Sequence, residues 1–313
     1  MIQILLATYN GERFLRQQLD SIFSQIGVSF YVIARDDGSS DDSLTILNEY
    51  VLRYPERMHL LPVTGERLGA MGSFEALMQF STADYIAFSD QDDVWAGEKL
   101  SVLFLRMKSL ESEFGKATPV LVHSDLQVVD SDLGLIAESF WQYAGISPER
   151  NRLQDLVTLN TVTGCACLCN RALLGLSLPF PAGAYMHDSW MALCASVFGK
   201  IGVEPAALVS YRQHGNNALG AGASRIHKIS IVKNFISDAL SGQWMRRDWQ
   251  GILRQPHAFL LAYERQLPEN ARAFLIDFSS LSVAGFWKKR LLLMKWNCGP
   301  RSLLRRLWFW VRA

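Results

Sequence analysis

Three aspartates in four positions, Asp90-Gln91-Asp92-Asp93, follow the apolar segment Asp84-Tyr85-Ile86-Ala87-Phe88. That segment reads as a short buried strand, so the acidic group falls where the strand ends. Carboxylates packed this closely repel one another, and taking them out of water costs several kcal/mol. A divalent cation offsets that cost, and an all-oxygen donor set suits Mg²⁺ or Mn²⁺ better than Zn²⁺. A solvated acidic loop is the competing reading. Two further acidic groups bear on the choice. Arg35-Asp36-Asp37-Gly38-Ser39-Ser40-Asp41 follows another apolar run, and His187-Asp188 opens an amphipathic segment.

The elements that must position these groups alternate in type. Strands are expected at residues 2–7, 29–34, 58–63 and 84–88, with helices between them over residues 11–25 and 40–54 and, after the loop through Gly72, one carrying Phe74, Leu77 and Met78. The first helix shows Phe14, Leu15, Leu19, Ile22 and Phe23 at helical spacing, with Asn10 as its cap; Ser40 is the expected cap of the second. A fifth strand, Val120–His123, continues into Ser124-Asp125, a stretch read as finishing the strand. A sixth is expected over Val162–Cys169 with Gly164 inside it, and a last over Val203–Tyr211. Alternation of this kind implies βαβ units and a mostly parallel sheet flanked by helices. Ligands of such sheets bind beyond the carboxyl ends of the strands. Thr8, Asp36, Asp37, Asp90 and Asp92 all fall there.

Composition bounds the class. The chain has 313 residues, 49% hydrophobic and 19% charged, enough for a large core. No apolar run reaches the length of a membrane-spanning helix, and the N-terminus begins on a strand with no secretory leader, so a cytoplasmic location is expected. Five cysteines argue against a disulfide framework. Cys165, Cys167 and Cys169 would share one face of a strand and are read as packing in preference to zinc ligation. The net charge of +1 hides a polarity: after Asp277 come eight cations and no anion.

The turn after the first strand, Thr8-Tyr9-Asn10-Gly11, lacks the Gly-x-Gly-x-x-Gly of a dinucleotide fold, and no P-loop occurs. What remains is a sheet edge rich in carboxylates. Asp36 or Asp37 can accept a hydrogen bond from a base or a ribose, and Asp90 with Asp92 can hold a metal bridging two phosphates. That combination suits a nucleotide diphosphate activated by a Lewis acid.

The sequence resembles family 2 glycosyltransferases of the GT-A fold. The resemblance spans about residues 2–220. It rests on Ala7-Thr8-Tyr9-Asn10-Gly11, Asp36-Asp37-Gly38-Ser39-Ser40-Asp41, Asp90-Gln91-Asp92-Asp93-Val94-Trp95 with Lys99-Leu100, and His187-Asp188. With Tyr211-Arg212-Gln213-His214-Gly215-Asn216-Asn217 it is similar to bacterial rhamnosyltransferase-like members that build surface polysaccharides. The resemblance implies a catalytic domain over 1–222, a helical region over 223–313, and a nucleotide-diphosphate sugar donor. The donor side would be formed by Thr8, Tyr9, Asn10, Asp36, Asp37, Arg67, Asp90, Gln91, Asp92, Arg212 and His214. Asp90 and Asp92 would hold Mg²⁺ or Mn²⁺, with His214 near the metal or diphosphate. Asp188 would be the general base of an inverting transfer. The family commonly has Glu-Asp where this chain has His187-Asp188, so His187 stays open as an alternative base. Trp95, Gly164, His187 and Trp190 would face a saccharide or lipid-linked saccharide acceptor, although core packing is the rival reading for both tryptophans. A nucleotidyltransferase is the second enzyme reading, disfavoured by the missing glycine-rich basic loop after the first strand. A non-catalytic membrane-associated scaffold of the same fold is the third.

In Arg301–Arg312, leucine and tryptophan share one helical face while arginines flank the other. Basic amphipathic segments of this kind lie in membrane interfaces, and a peripheral position on the inner face of the membrane is expected. The basic residues are confined to the tail and the catalytic region is acidic, so nucleic acid is not an expected partner.

Overall fold

The computed structural model describes residues 1–62, 67–213 and 254–298. Its first part is β1 (Ile2–Thr8), α1 (Glu12–Phe23), β2 (Phe30–Asp36), α2 (Ser43–Arg53), β3 (Met58–Leu60), α3 (Gly69–Phe80) and β4 (Tyr85–Ser89). All four strands run parallel. The register sets Thr8 opposite Asp36 and Leu6 opposite Ser89, so β1, β2 and β4 end at one level. The three motifs that follow these strands therefore meet at one edge.

The second part is β5 (Val94–Trp95), α4 (Lys99–Phe114), β6 (Val120–Val129), β7 (Leu135–Ala137), α5 (Phe140–Ala144), α6 (Leu153–Leu156), β8 (Cys167–Asn170), α7 (Arg171–Ser177), α8 (His187–Phe198) and β9 (Lys200–Arg212). The strands join one sheet in the order β3-β2-β1-β4-β8-β6-β9-β5, with β7 against β6. The sheet is mixed, not mostly parallel: β8 runs antiparallel between β4 and β6, and β5 and β7 are antiparallel as well.

Strand alternation divides the core between the two faces. Leu5, Ile33, Ile86 and Phe88 point to one face, where α3 and α8 pack. Ile4, Leu6, Val32 and Ala87 point to the other, under α1, α2 and α4. Three C-terminal helices, α9 (residues 254–263), α10 (Glu269–Ser279) and α11 (Phe286–Lys295), join the first face. There Phe259, Tyr263, Phe274, Phe278 and Leu293 share a cluster with α8.

Three local expectations differ from the structure. The stretch from Val162 to Cys169 is not one strand: Gly164–Ala166 form a single 3-10 turn, and the strand begins at Cys167. Cys165 consequently packs on one face of the sheet and Cys167 and Cys169 on the other; all are free and buried. Neither Asn10 nor Ser40 caps a helix. The cap positions are Gly11 and Asp42, neither with a side-chain cap bond. The two helix starts instead cap each other. Gly11 N–H donates to Ser43 Oγ at 2.7 Å and Glu12 N–H to Asp41 Oδ2 at 3.0 Å, while Asp42 N–H donates to Glu12 Oε2 at 2.8 Å. Exchange of this kind satisfies the orphan amides that a helix N-terminus leaves.

Candidate active site

A cavity of about 340 Å³ opens at the strand edge. Ten residues expected at the site line it: Thr8, Tyr9, Asp37, Arg67, Asp90, Gln91, Asp92, Gly164, His187 and Asp188. They come from the ends of β1, β2 and β4, the loop before α3, the start of α8 and the 3-10 turn. Ala70, Phe74 and Met186 add apolar wall, and Tyr211 closes one side.

The wall built from β1 and β2 is densely hydrogen-bonded. Asp36, the last residue of β2, accepts from Thr8 Oγ1 at 2.9 Å, Ser39 Oγ at 2.6 Å, and the amides of Gly38 and Ser39 at 3.0 and 2.8 Å. Its carboxylate is spent on closing the turn, and it does not line the cavity. Asp37 does. It accepts from Arg35 Nη1 at 2.6 Å and from the amides of Leu68 and Gly69, both at 2.8 Å. Burial pushes the Asp37 carboxyl up, but Arg35 and the two amides outweigh burial and hold it below its ordinary value. Gln91 brackets Tyr9 like a strand partner, accepting from its N–H at 2.7 Å and donating to its carbonyl at 3.0 Å. A side chain at Gly11 would collide with Gln91, which accounts for glycine there. Arg67 stacks on the Tyr9 ring, 3.6 Å from its centroid. Asn10 holds the neighbouring turn instead of facing the cavity, with Oδ1 accepting from Ser40 N–H at 2.8 Å and its own N–H donating to Ser39 Oγ at 2.8 Å.

The floor is electrostatically different. Burial pushes the Asp90 carboxyl well above its usual value, and Asp93, Asp92 and Asp188 push in the same direction. Asp93 is fully buried. Burial and Asp92 push its carboxyl up to about 7, and its Oδ2 has no hydrogen-bond partner. Ligand atoms of Asp90, Asp93 and Cys165 all lie within 4.8 Å of one another. The Cys165 thiol is pushed far up by burial and the nearby carboxylates, so it offers no soft thiolate. A crowd of hard oxygens with an orphaned buried one fits Mg²⁺ or Mn²⁺. Beneath it lies Lys99, fully buried, with Nζ 3.1 Å from the Trp95 ring centroid and donating to the Cys165 carbonyl. Burial pushes this ammonium down to about 7 against the pull of Asp93 and Asp90. The resemblance includes Lys99-Leu100 but assigns the lysine no role. The available signal is a cation in the first turn of a helix, where the dipole disfavours it.

The third wall carries Asp188 in the first turn of α8. Its Oδ1 accepts from Ser189 N–H at 2.6 Å and its Oδ2 from Gly164 N–H at 3.2 Å. Burial pushes its carboxyl up to about 6, with the two amides holding it back from going further. His187 packs its ring on Phe74 and Phe88, at 4.0 and 4.9 Å between centroids. Both of its ring nitrogens are buried without a partner, and burial pushes its pKa down to about 3. A Cβ on Gly164 would sit 2.7 Å from His187 Nε2, so the glycine serves the close approach of this ring.

Besides Asn10 and Asp36, three more expected site residues are not at the cavity. Trp95 is buried under Lys99, with its N–H donating to Ser21 Oγ at 3.0 Å. Trp190 is fully buried against Phe259 and Tyr263, because the α8 face it occupies is the one the C-terminal helices cover. Arg212 pins the acidic loop from behind. Its N–H donates to Asp93 Oδ1 at 3.1 Å, its Nε to the Asp92 carbonyl at 2.7 Å, and its Nη2 to Gln17 Oε1 at 2.7 Å. These bonds hold it under the loop, and it does not line the cavity. His214 and the segment Arg301–Arg312 lie outside the described residues.

Comparison with known proteins gives the family. Residues 3–174 match the family described as Glycosyl transferase family 2. The chain belongs to that family. It is 40% identical over 98 residues to the dTDP-rhamnosyl transferase RfbG of Shigella flexneri, a match covering 30% of this chain and 34% of that one. It is 25% identical over 258 residues to an uncharacterized glycosyltransferase of Nostoc, covering 76% of this chain and 75% of that one. Among solved structures, S. aureus TarS 1-349 with UDP aligns over 99% of this chain and 86% of its own, at a TM-score of 0.55 and 14% identity. The mannosyltransferase PcManGT of Pyrobaculum calidifontis, solved with GDP-Man and Mn²⁺, aligns over 98% of this chain and 87% of its own, at 0.50 and 17%. At these identities the structures establish the fold, which is GT-A. The chain is a glycosyltransferase.

Proposed function

We propose that this glycosyltransferase moves a sugar from a nucleotide diphosphate to a hydroxyl of a saccharide or lipid-linked saccharide acceptor, with inversion at the anomeric carbon. One observation carries the reading: the Asp188 carboxylate and the acidic floor of Asp90 and Asp92 line the same cavity from opposite elements. On this reading Thr8, Tyr9, Asp37 and Arg67 receive the base and ribose, and Gln91 holds the Tyr9 turn in shape for them. Asp90 and Asp92 would hold Mg²⁺ or Mn²⁺, which neutralises charge on the departing diphosphate. The acceptor oxygen attacks the anomeric carbon, the bond from that carbon to the diphosphate oxygen breaks with its electron pair, and Asp188 takes the acceptor proton. A carboxylate tuned to about 6 is ionised at neutral pH yet basic enough to accept that proton. His187, pushed down to about 3, is a poor candidate for the same task.

The sugar we infer is rhamnose carried on dTDP, supported by the 40% identity to RfbG over 98 residues. The apolar wall of Ala70 and Phe74 suits a deoxy sugar better than a fully hydroxylated one. The product would enter a bacterial surface polysaccharide such as an O-antigen or capsule, assembled on a lipid carrier at the inner face of the membrane. Among the described residues no helix is long and apolar enough to cross a membrane, so the enzyme would meet that carrier peripherally.

The test is a donor panel with purified protein, Mn²⁺ or Mg²⁺ and a lipid-linked saccharide acceptor, reading nucleoside diphosphate release. The expected result is release that needs acceptor and metal and is greatest with dTDP-rhamnose. Pyrophosphate release would favour a nucleotidyltransferase, and turnover with a different donor would discard the rhamnose assignment alone.

A further inference from the structure

Helix α11 turns to solvent a face that proteins ordinarily bury. Helical geometry sets positions 286, 287, 290, 291 and 294 within an arc of about 140°. On it Phe286, Trp287, Leu291 and Met294 are 56%, 78%, 66% and 53% exposed, and Val283, just before the helix, is 88% exposed. The opposite arc is occupied. Leu293 is buried in the core, with Leu292 and Trp296 packed against the same cluster. The helix is therefore gripped on one side and open on the other. Scattered exposed apolar residues are normal, but a contiguous set on one face marks an interaction surface.

The charges around this face select its partner. The Arg290 guanidinium lies 3.2 Å from the Phe286 ring centroid and Nη1 donates to the Phe286 carbonyl at 2.7 Å, which holds the cation over the apolar face. Lys288 and Lys295 border the arc, and no acidic residue follows Asp277. Asp277 itself is engaged by Lys295 Nζ at 2.7 Å and by Trp296 Nε1 at 2.8 Å. A symmetric dimer through this face would set these cations against their own copies. An anionic bilayer meets both features, accepting aromatic and aliphatic side chains below its headgroups and cations at them.

We propose that α11 is an interfacial anchor for an anionic membrane, with Phe286, Trp287, Leu291 and Met294 entering the headgroup region and Lys288 and Arg290 meeting lipid phosphates. This deepens the reading of a membrane-borne acceptor and rests on it for purpose. It moves the contact to a helix with a defined open face, ahead of the basic segment 301–312.

The experiment is co-sedimentation of the full chain with vesicles of phosphatidylcholine alone or mixed with phosphatidylglycerol. Salt-sensitive binding to the mixed vesicles and little to the neutral ones is expected. The double variant Trp287→Ser, Leu291→Ser, at positions too exposed to endanger folding, should bind at least about tenfold more weakly. Lys288→Glu should weaken binding by about fivefold or more, from the attraction of one cation to an anionic surface. Both variants should release nucleoside diphosphate at the parent rate with a soluble acceptor. Unchanged vesicle binding by the double variant overturns the anchor. So does a dimer, seen by light scattering, that the double variant dissolves, since the occupant would then be a second copy. A failed donor panel with intact vesicle binding would discard the transferase reading and keep the anchor, so the two failures are distinguishable.

Discussion

The two sides of the cavity are built on opposite electrostatic plans. At the β1–β2 edge every carboxylate is answered: Asp36 accepts four hydrogen bonds and Asp37 is held by Arg35 and two amides. On the floor and the α8 side the groups are held back. Asp90, Asp93 and Asp188 are all pushed above their usual values by burial, Asp93 Oδ2 lacks a partner, and Lys99 is pushed down beneath them. The first edge is a finished shape whose hydrogen bonds are already made. The second stores unfavourable charge, which is what makes it responsive to a cation and to a proton. Preorganisation serves binding, and a group out of balance with neutral water serves chemistry.

The largest effect should come from the unbalanced side. Asp188→Asn keeps the helix start and the bond from Gly164 but cannot take a proton. Its turnover should fall by about 10²–10⁴-fold, the usual worth of a general base, with the donor KM nearly unchanged. In the parent enzyme the same group sets a pH limb. Asp188 must be ionised, so turnover should decline as pH drops through about 6. A pH profile with no limb there, or an Asp188→Asn enzyme at parental turnover, would remove Asp188 from the role of base.

On the balanced side the expected loss is in folding and donor binding instead. Asp37→Asn breaks a buried ion pair and leaves Arg35 without its partner charge, a loss of roughly 3–5 kcal/mol for pairs of this kind. Denaturant unfolding should register it. Any folded fraction should show a raised donor KM at near-normal turnover. Equal losses of turnover from Asp37→Asn and Asp188→Asn would erase the division between the two sides.

The ordered side was the more legible in sequence. Alternating apolar runs placed Thr8, Asp36, Asp37 and Asp90 at strand ends, and the register of β1 with β2 and β4 brings those ends together. Periodicity could not separate Asp36 from Asp37: which one closes the turn depends on Thr8 and Ser39 lying across it. The resemblance assigns Arg212 to the donor side; the three-dimensional path of β9 puts it behind the acidic loop. Trp190 was misplaced for a related reason. Helical spacing places it on α8 but says nothing of the C-terminal helices that bury it. Lys99 stands in a motif that carries the resemblance, but its burial against the Trp95 ring is a tertiary fact.

A smaller effect tests the stored charge directly. The Asp93 carboxyl is raised to about 7 when folded, against about 4 when unfolded. Between those values the folded state binds the extra proton. Ionisation therefore costs the fold stability that grows as pH rises from about 4 to about 7, and the cost is absent below. Asp93→Asn keeps an oxygen for Arg212 N–H and carries no charge. Its melting temperature without divalent ions should exceed the parent's by a few degrees at pH 8 and match it at pH 4. A variant destabilised equally at both would mean that Asp93 is well paired and that the floor stores nothing.

The smallest effect should be at His187, and it is the sharpest test of which residue on the α8 side does chemistry. The ring is packed between Phe74 and Phe88 with both nitrogens unpartnered, and burial keeps it neutral well below physiological pH. Its apparent contribution is volume at the cavity wall, with Gly164 shaped to admit it. His187→Asn removes the imidazole while keeping a polar side chain of smaller size. Turnover should fall by far less than the roughly 10²-fold that marks loss of a base, the pH limb near 6 should persist, and the melting temperature should drop from the lost packing. A loss as deep as that of Asp188→Asn, with the limb abolished, would transfer the proton to the histidine. In that outcome the neutral, unpartnered ring becomes the reacting group, and the carboxylate held by Ser189 and Gly164 becomes the residue that positions it.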